Sequence, residues 1–465
     1  MKQLRNSIRI CALVLAFMVL VPIGYGAYSL LRYGTRWRTS EYNVYWTNMK
    51  SDVVGGSIYD RYGVVLASTD PDTMERTYAR DEAVRRACVH VVGDNRRTVK
   101  NAAESFMAEY LYGAFMTYPE RFQQTMDGQV RGDDVTLTLD AALSAYIASV
   151  FPQGKNGAVV VMNYRSGEIY ALLSFPDFDP AAGGSVSVSQ SLNRATRWLS
   201  APGSAFKIVT LSAALQNLEG AENRDFECTG GVSFGEHQRT VTDYGGAVHG
   251  SLSLRKAFIQ SCNSTFAILA SEMGDKALRR TAESFGVGDD FIFRDLVVEN
   301  SAFSSGTSAL LGADLAWTGV GQNQLALTPL HMCMIAASVA NGGVMMEPRL
   351  LMKAVSSRGE TRAAFEPIVY RNALPESVAD TVRAYMREVV TSGTGTAAGV
   401  SGLKVCGKTG TAEIDTQKDD NAWFVGFIDS DTMPFAVCVT VQDSGTGGSV
   451  AAPVAQKIFR YLSGK

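Results

Sequence analysis

The longest apolar stretch of the chain lies close to its N-terminus. Residues 10–31 carry no charged side chain, and as a helix they would extend about 33 Å, enough to cross the hydrocarbon core of a bilayer. Lys2, Arg5 and Arg9 precede them. The positive-inside rule predicts a cytoplasmic tail at residues 1–9, a single-pass transmembrane helix at residues 10–31 in the plasma (inner) membrane, and an extracytoplasmic remainder. A cleaved signal peptide is the alternative, although the run is long for one and no A-x-A site follows it.

The next part of the chain predicts a small domain of mixed strands and helices. Residues 55–67 combine glycine-containing turns with two short apolar runs, which is typical of strand, turn and strand. Residues 98–124 are rich in alanine, methionine, glutamate and leucine, with Pro119 as their single proline, and this composition indicates one or two helices. We expect residues 32–154 to form this unit.

A larger unit is predicted at residues 155–465. A continuous apolar run at residues 158–162 predicts a buried strand, and residues 168–174 predict its partner across a turn. Further strand-like runs occur at residues 404–412, 421–428 and 435–441. Residues 450–462 place apolar side chains on one helical face and predict a closing helix.

Two helices are predicted between these strands. Residues 205–215 form a mainly apolar run without proline or glycine, which places Ser204 in the first turn of a buried helix. Residues 257–273 predict a second helix, with Ser261 near its start. Each helix therefore carries a serine near its N-terminus.

Composition limits the possible functions. The chain has 465 residues, of which 46% are hydrophobic and 19% are charged, so we expect a globular protein of more than one domain. A net charge of -3 gives no basic excess, and we predict no nucleic-acid partner. The seven cysteines form no C-x-x-C pair and no metal-ligand spacing with the four histidines, so neither a metal site nor a cofactor is predicted. Disulfide pairs cannot be assigned, and three cysteines in apolar runs are expected to be small buried side chains: Cys333, Cys406 and Cys438.

Three short motifs suggest the chemistry. They are Ser204-x-x-Lys207, Ser261-Cys262-Asn263 and Lys408-Thr409-Gly410. Each serine motif alone is common, since Ser253 with Lys256 and Ser401 with Lys404 also fit the first one, and an isolated serine of this kind is more simply a helix cap. All three motifs in this order indicate serine acyl transfer.

The first two motifs supply the predicted catalytic residues. Ser204 is the nucleophile, and Lys207 lies one helical turn away, where its amine can accept the hydroxyl proton. Burial and a second cation, Lys408, are expected to lower the pKa of Lys207, because only a neutral lysine can act as a base. Ser261 can pass a proton between Lys207 and the leaving amine.

The remaining motif residues are predicted to bind substrate. They are Asn263, Lys408, Thr409, Gly410 and Thr411. An amide side chain can hold the amide of a substrate, and a cation with neighbouring hydroxyls suits a terminal carboxylate. The glycine allows a ligand backbone to approach the strand closely. The backbone N–H groups of Ser204 and Thr411 are the predicted oxyanion hole. The four histidines are not required by this scheme.

These motifs lie within longer matching segments. The segments are PGSAFK at residues 202–207, His249-Gly250 followed by SCN at 261–263, KTGTAE at 408–413, AWFVGF at 422–427, SFPDFDP at 174–180, and Gly321-Gln322 with TPL at 328–330. In them the chain resembles the class B penicillin-binding proteins, which are monofunctional peptidoglycan D,D-transpeptidases. The resemblance extends from about residue 157 to the C-terminus.

The resemblance implies an α/β (α+β) fold, in which helices flank an antiparallel sheet and a helical subdomain lies beside it. It also implies that residues 32–154 form a smaller pedestal or dimerisation-like domain. Residues 57–67 faintly resemble the motif that begins such domains, but Gly56 stands where the family usually has arginine.

The implied reaction is the cross-linking of peptidoglycan. Ser204 would attack the penultimate D-Ala carbonyl of a stem pentapeptide, release the terminal D-Ala, and pass the acyl group to the amine of a neighbouring stem. The resemblance further implies that β-lactams acylate the same serine, and that a membrane-embedded glycan polymerase of the SEDS type is a partner.

Other functions would use much of the same chemistry. A D,D-carboxypeptidase differs only in using water as the acceptor, and a penicillin- or peptidoglycan-sensing module needs only acylation. A β-lactamase needs neither an anchor nor a pedestal, whereas both are predicted here. A bifunctional class A enzyme needs a glycosyltransferase domain, for which residues 32–154 leave too little chain.

Overall fold

The computed structural model describes residues 2–38, 52–234, 239–413 and 419–464. Helix α1 (Lys2–Arg38) contains the predicted apolar segment. Among the described residues, only its part from Leu4 to Leu31 is a helix long and apolar enough to cross a bilayer, and the most apolar window of that part is not buried in the protein. The prediction of a helix at residues 10–31 is confirmed.

The first folded unit follows this helix. Its elements are β1 (Ile58–Tyr59), β2 (Val65–Thr69), β3 (Arg76–Tyr78), α2 (Glu82–Val92), α3 (Ala103–Phe106), α4 (Ala108–Leu111), α5 (Tyr118–Met126), β4 (Asp134–Leu137) and α6 (Ala141–Val150). Strands β1 and β2 confirm the predicted strand, turn and strand. Three short helices replace the predicted one or two, because Met107 separates α3 from α4 and a capping box between Thr117 and Glu120 starts α5 afresh.

The second unit begins with a pair of strands and leads into helices. Its first elements are β5 (Gly157–Asn163), β6 (Ile169–Phe175), α7 (Val188–Ser191), α8 (Arg194–Arg197), a 3₁₀ turn (Gly203–Phe206), α9 (Lys207–Asn217), β7 (Asp225–Cys228), β8 (Gly231–Phe234), β9 (Arg239–Thr242), β10 (Gly250–Ser253), α10 (Leu254–Gln260) and α11 (Asn263–Ser284). Helix α9 packs against α11, and the small sheets β7–β10 and β8–β9 lie beside α11.

The rest of the chain completes both units. Its elements are α12 (Gly312–Gly319), α13 (Pro329–Ala340), β11 (Val344–Met346), β12 (Leu351–Val355), β13 (Thr361–Ala364), β14 (Val369–Asn372), α14 (Glu376–Ser392), β15 (Val405–Ala412), β16 (Asn421–Ile428), β17 (Phe435–Val441) and α15 (Ala452–Leu462). A single turn of π-helix at Gly447–Ala451 precedes α15.

An antiparallel sheet of five strands forms the centre of the second unit. Its order is β15-β16-β17-β5-β6, and these are the five strands that the sequence predicted. Both faces are covered: Val160 and Met162 belong to the same core as α13, whereas Val159 and Val161 belong to the same core as α15. Burial on both faces explains why these strands are continuous apolar runs. Helix α14 and the 3₁₀ turn at Gly203–Phe206 pack along β15, the edge strand.

The sheet of the first unit includes strands from late in the chain. Its order is β13-β12-β4-β1-β2-β3, so residues 351–364 return to the N-terminal unit and pair with β4. Arg349 at the start of this return is buried, and its Nε lies 3.2 Å from Asp295 Oδ2. Asp295 Oδ2 also accepts the backbone N–H groups of Leu350 and Leu351. Paired strands therefore join the two units, and the buried ion pair fixes the start of the returning segment.

Candidate active site

Ser204 lies on the 3₁₀ turn Gly203–Phe206, which leads directly into α9. The sequence placed it in the first turn of the α-helix itself. Two glycines bring this turn against β15. A Cβ on Gly203 would lie 2.3 Å from the carbonyl oxygen of Thr411, and one on Gly410 would lie 2.4 Å from that of Pro202. No side chain fits in either gap, so glycine sets the distance between Ser204 and the edge strand.

Lys207 lies beneath the serine and is completely buried. Its Nζ is 3.1 Å from Ser204 Oγ, 2.6 Å from the carbonyl oxygen of Ser261 and 2.6 Å from Asn263 Oδ1. Burial lowers the pKa of Lys207 to about 7. The direction of this shift is as expected, although its main cause is burial rather than the second lysine. Near neutral pH the amine can therefore accept the proton of the Ser204 hydroxyl.

Ser261 lies in a break between two helices, and the prediction of one helix over residues 257–273 is wrong. Helix α10 ends at Gln260, and Ser261 takes a left-handed conformation with φ of 62°. Cys262 then caps α11, its Sγ accepting the N–H of Thr265. Such a φ is unfavourable for a residue other than glycine, and strained residues of this kind cluster at functional sites. Here the break directs both oxygens of Ser261 toward Lys207.

Asn263, the first residue of α11, is held on three sides. Its Oδ1 accepts from Lys207, its Nδ2 donates to the carbonyl oxygen of Thr242 at 2.8 Å, and its backbone N–H donates to Asp243 Oδ1 at 2.5 Å. Asp243 was not predicted from the sequence, because it is a single acidic residue after a short strand. It acts here as a positioning residue for Asn263.

Lys408 approaches the same group of residues from β15. Its Nζ lies 2.9 Å from Ser261 Oγ and 3.1 Å from the carbonyl oxygen of Thr409. Burial, together with the nearby charge of Lys207, holds the pKa of Lys408 well below its usual value. Ser261 Oγ thus bridges the two buried lysines, and a continuous chain of polar contacts leads from Ser204 to Lys408.

The threonines of β15 lie at the wall of the cleft. Thr409 Oγ1 is 2.6 Å from Thr394 Oγ1, and Thr411 Oγ1 accepts the N–H of Gly447 at 3.3 Å. Thr394 follows α14 in a loop, and nothing in its sequence context indicated a place in the site.

The cleft above Ser204 has a volume of about 390 Å³. All the predicted site residues except Lys207, Lys408 and Gly410 line it, and those three lie behind its surface. Residues that the sequence did not assign to the site complete the wall: Asp243, Tyr244, Ala247, His249, Gln260, Trp317, Val320, Gln322, Thr394, Glu413, Thr446 and Gly448. Ala247, Trp317 and Val320 are the apolar residues of this lining, while β15 contributes the hydroxyls of Thr409 and Thr411.

None of the three histidines in the described part of the chain contacts Ser204. His331 and His90 are buried and bonded to backbone oxygens, at 2.8 Å to Phe285 and 2.7 Å to Gln190 respectively. His249 lines the cleft but contacts Cys228 rather than the serine. His237 lies outside the described residues. A serine hydroxyl in contact with a buried lysine of lowered pKa is the geometry of a serine acyltransferase site.

Comparison with known proteins agrees with this class. Residues 157–460 match the family described as penicillin binding protein transpeptidase domain, and the chain belongs to this family. The chain is 31% identical over 365 residues to the peptidoglycan D,D-transpeptidase PbpA of Mycobacterium tuberculosis, with 71% of this chain and 72% of the relative covered. It is 30% identical over 349 residues to the stage V sporulation protein D of Bacillus subtilis, with 71% of this chain and 53% of the relative covered.

Solved structures show the same fold. Penicillin-binding protein A from M. tuberculosis, solved as a ceftriaxone acyl-enzyme complex, superposes with a TM-score of 0.79 at 26% identity, covering 89% of this chain and 99% of that one. The D,D-transpeptidase domain of a peptidoglycan glycosyltransferase from Eggerthella lenta gives a TM-score of 0.75 at 30% identity, covering 88% and 97%. The fold and the class B resemblance inferred from the sequence are confirmed.

Proposed function

We propose that this protein is a peptidoglycan D,D-transpeptidase that cross-links stem peptides through an acyl-enzyme on Ser204. The observation that carries the proposal is the contact of Ser204 Oγ with a buried Lys207, whose pKa is lowered to about 7. A serine hydroxyl is a weak nucleophile, and a neutral amine at hydrogen-bond distance is the activation that acyl transfer requires.

In the acylation step, Lys207 takes the hydroxyl proton while Ser204 Oγ attacks the penultimate D-Ala carbonyl carbon. The backbone N–H groups of Ser204 and Thr411 are the proposed donors to the resulting oxyanion. Collapse of the intermediate breaks the peptide C–N bond. The proton passes from Lys207 through Ser261 to the leaving nitrogen, and D-Ala departs as a neutral amine. Attack by a stem-peptide amine then reverses these proton transfers and frees the serine.

The substrate's C-terminal carboxylate is proposed to bind at β15. The hydroxyls of Thr409 and Thr411 face the cleft, and Lys408 lies directly behind them. Asn263 is proposed to hold the amide of the donor stem. A β-lactam presents a carboxylate and a reactive amide with similar spacing, so it would acylate Ser204 by the same route.

The same proposal includes a place in the cell. Helix α1 would anchor the protein in the plasma membrane with its N-terminus in the cytoplasm, supported by Lys2, Arg5 and Arg9 before the apolar segment. Residues 32–154 would then be the pedestal that raises the transpeptidase domain above the membrane. A SEDS-type glycosyltransferase would meet the protein through the membrane helix and this pedestal.

The proposal is tested in two steps on the full chain in detergent: first the acylation of Ser204, and then the identity of the acceptor. Intact-protein mass spectrometry with benzylpenicillin should show one long-lived adduct, absent in Ser204→Ala. Ser401→Ala is the matched control, because Ser401 and Lys404 repeat the motif spacing elsewhere, and it should label normally. Labelling that persists in Ser204→Ala would overturn the nucleophile assignment.

The acceptor is then tested with lipid-linked pentapeptide and a glycan polymerase. Cross-linked dimers are the expected product. Release of D-Ala without dimers would instead identify a carboxypeptidase, and acylation by penicillin without any turnover of pentapeptide would identify a sensing module.

A further inference from the structure

Helix α5 of the N-terminal unit carries its apolar side chains on the outside. Tyr118, Phe122 and Met126 are 93%, 68% and 69% exposed, and Phe115 just before the helix is 45% exposed. Because residues four apart lie on one face of a helix, the three helical side chains form a continuous stripe. Glu120 is the only buried residue of α5, all of whose residues the structure describes. A helix on the surface of a globular protein usually shows the reverse pattern, with its apolar face toward the core.

Polar contacts fix the direction in which this stripe points. Glu120 Oε1 accepts the Nη2 group of Arg362 at 2.5 Å, and Gln124 Nε2 donates to Ser357 Oγ at 2.9 Å. Arg362 belongs to β13, and Ser357 lies in the turn between β12 and β13. The polar side of α5 is therefore held against the strands that return from the transpeptidase unit, and the apolar stripe faces away from them.

The chain enters the N-terminal unit beside the end of this helix. The N–H of Val54 donates to the carbonyl oxygen of Val130 at 2.9 Å, and the N–H of Gly132 donates to the carbonyl oxygen of Val54 at 2.9 Å. Met126, the last residue of α5, precedes this pairing by only a few residues. The apolar stripe thus lies at the end of the unit to which the preceding chain is attached.

That preceding chain is the segment that follows the membrane helix. In α1, Tyr33 and Trp37 have ring centroids 6.4 Å apart and lie just beyond the apolar part, which ends at Leu31. Aromatic side chains at this position are typical of a membrane surface. Residues 39–51 separate α1 from the N-terminal unit, and a chain of that length can reach at most about 45 Å. The stripe therefore lies within tether distance of the bilayer.

The size and shape of the stripe favour a lipid surface over a protein partner. With about 200 Å² of surface for each large side chain, the four exposed residues present roughly 550 Å². A stable protein interface buries about 800 Å² on each partner. The stripe is also convex and only one helix wide. A bilayer needs no larger area, because α1 would already hold the unit at the membrane and make insertion an intramolecular step.

We propose that this apolar stripe, formed by Phe115, Tyr118, Phe122 and Met126, inserts into the phospholipid surface that α1 crosses. Arg121 is exposed at the edge of the stripe, where a cation suits headgroup phosphates. The proposal rests on the membrane anchor proposed above. Insertion would give the N-terminal unit a second attachment besides α1. The contact of Glu120 with Arg362 and the pairing of β13 with β12 would then pass the tilt of α5 to the transpeptidase unit.

The experiment measures the immersion of a nitroxide label on the full chain, in nanodiscs of phosphatidylethanolamine and phosphatidylglycerol without any partner protein. Among the seven cysteines, all of them described, only Cys11 is exposed, so Cys11→Ser gives a background without an accessible thiol. A label at Phe122→Cys should lose accessibility to a water-soluble nickel chelate and gain accessibility to oxygen, which concentrates in lipid. Val188→Cys is the matched control, because Val188 is 86% exposed on the transpeptidase unit and its label should stay accessible to the chelate.

A second set of variants tests the stripe itself. Phe122→Asp combined with Met126→Asp should return a label at Tyr118→Cys to the chelate, because charged side chains are costly to place in lipid. Leu311→Asp, at an exposed apolar position of the transpeptidase unit, should leave that label immersed. Penicillin acylation in detergent should be unchanged in the double aspartate variant, which shows that the protein still folds.

Other results would overturn the proposal. A label at Leu20→Cys, in the middle of the apolar part of α1, reports on the anchor. If this label is open to the chelate, the anchor is wrong and the insertion of α5 with it. If it is immersed while the label at Phe122→Cys stays accessible, only the insertion is wrong.

Two further results would identify a different occupant and would also contradict lipid insertion. Protection at Phe122→Cys together with spin–spin broadening that grows with the number of chains per disc would identify a second copy of the chain. Protection that begins only when a glycan polymerase is added would identify a protein partner. Penicillin labelling of Ser204 is measured on the same samples, so failure of the transpeptidase proposal is recognised separately.

Discussion

At the scale of the residue, the site depends on two lysines kept away from water. Lys207 and Lys408 are both buried, and Ser261 Oγ lies between their amines. Two ammonium groups so close together repel each other, and burial disfavours the charged form of each. The pair therefore gives up a proton far more easily than surface lysines do, which makes a general base available at neutral pH.

This arrangement predicts a pH profile. The pKa of Lys207 is about 7 and the required form is the neutral one, so the acylation rate should be flat above that pH and fall about tenfold per unit below it. Lys408, Asp243 and Cys262 are the ionisable groups that face Lys207. The measurement is the second-order rate constant of benzylpenicillin acylation from about pH 5 to about pH 9. A flat profile through pH 7 would exclude Lys207 as the titrating base.

Removal of the amine gives a second prediction. Lys207→Ala should slow acylation by about 100-fold to 10,000-fold, because general base catalysis contributes a factor of that size. Stopped-flow or gel-based labelling with fluorescent penicillin measures the rate. Lys256→Ala serves as control, because Lys256 occupies the same spacing after Ser253, which caps α10 instead of reacting. A near-normal rate in Lys207→Ala would mean that another group is the base.

At the scale of the element, the edge strand and the serine turn meet through glycine. A Cβ on Gly410 would lie 2.4 Å from the Pro202 carbonyl oxygen and 3.0 Å from the Trp423 side chain. Because both neighbours belong to packed elements, the strand would have to move away from Ser204. The five strands of this sheet are buried on both faces, so a shift of β15 would also disturb the packing of the neighbouring strands and helices.

Gly410→Ala is therefore expected to lower stability by about 2 kcal/mol or more and to slow acylation by about 100-fold, as misplacement of a reacting group by about 1 Å does. Gly306→Ala is the control, because a Cβ there meets nothing within 4 Å. Thermal unfolding and penicillin labelling measure the two effects. Normal labelling in Gly410→Ala would show that the strand and the turn can separate without loss of geometry.

The same elements show what a sequence can and cannot indicate. The central strands were predictable because burial on both faces makes each one a continuous apolar run, such as residues 421–428. The break between α10 and α11 at Ser261 was not predictable, because the left-handed backbone occurs at a serine inside an otherwise helical sequence pattern. Thr394 and Asp243 were missed because each is a single polar residue whose role depends on contacts distant in the chain.

At the scale of the whole molecule, the two units are not separate along the chain. Strands β12 and β13 leave the transpeptidase unit to complete the N-terminal sheet. Both are short and partly exposed, and Lys353 lies within β12, so their pattern gave no sign of the pairing. Strand β12 is hydrogen-bonded to β13 on one side and to β4 on the other. A movement of one unit would therefore displace the other through this strand.

The buried pair of Asp295 and Arg349 is the point at which this connection is most sensitive. Asp295 Oδ2 accepts from Arg349 Nε and from the backbone of Leu350 and Leu351 at the start of β12. Asp295→Asn would leave the guanidinium buried without its counter-charge, and loss of one partner of a buried pair costs about 3–5 kcal/mol. We expect a thermal midpoint lower by roughly 5 °C or more, at about 2 °C or more per kcal/mol. Glu299→Gln, in the partly exposed pair with Arg197, should change the midpoint little, since ion pairs in contact with solvent contribute about 0–1 kcal/mol. Equal midpoints for the two variants would show that the buried ion pair contributes no more to stability than the Arg197–Glu299 pair does.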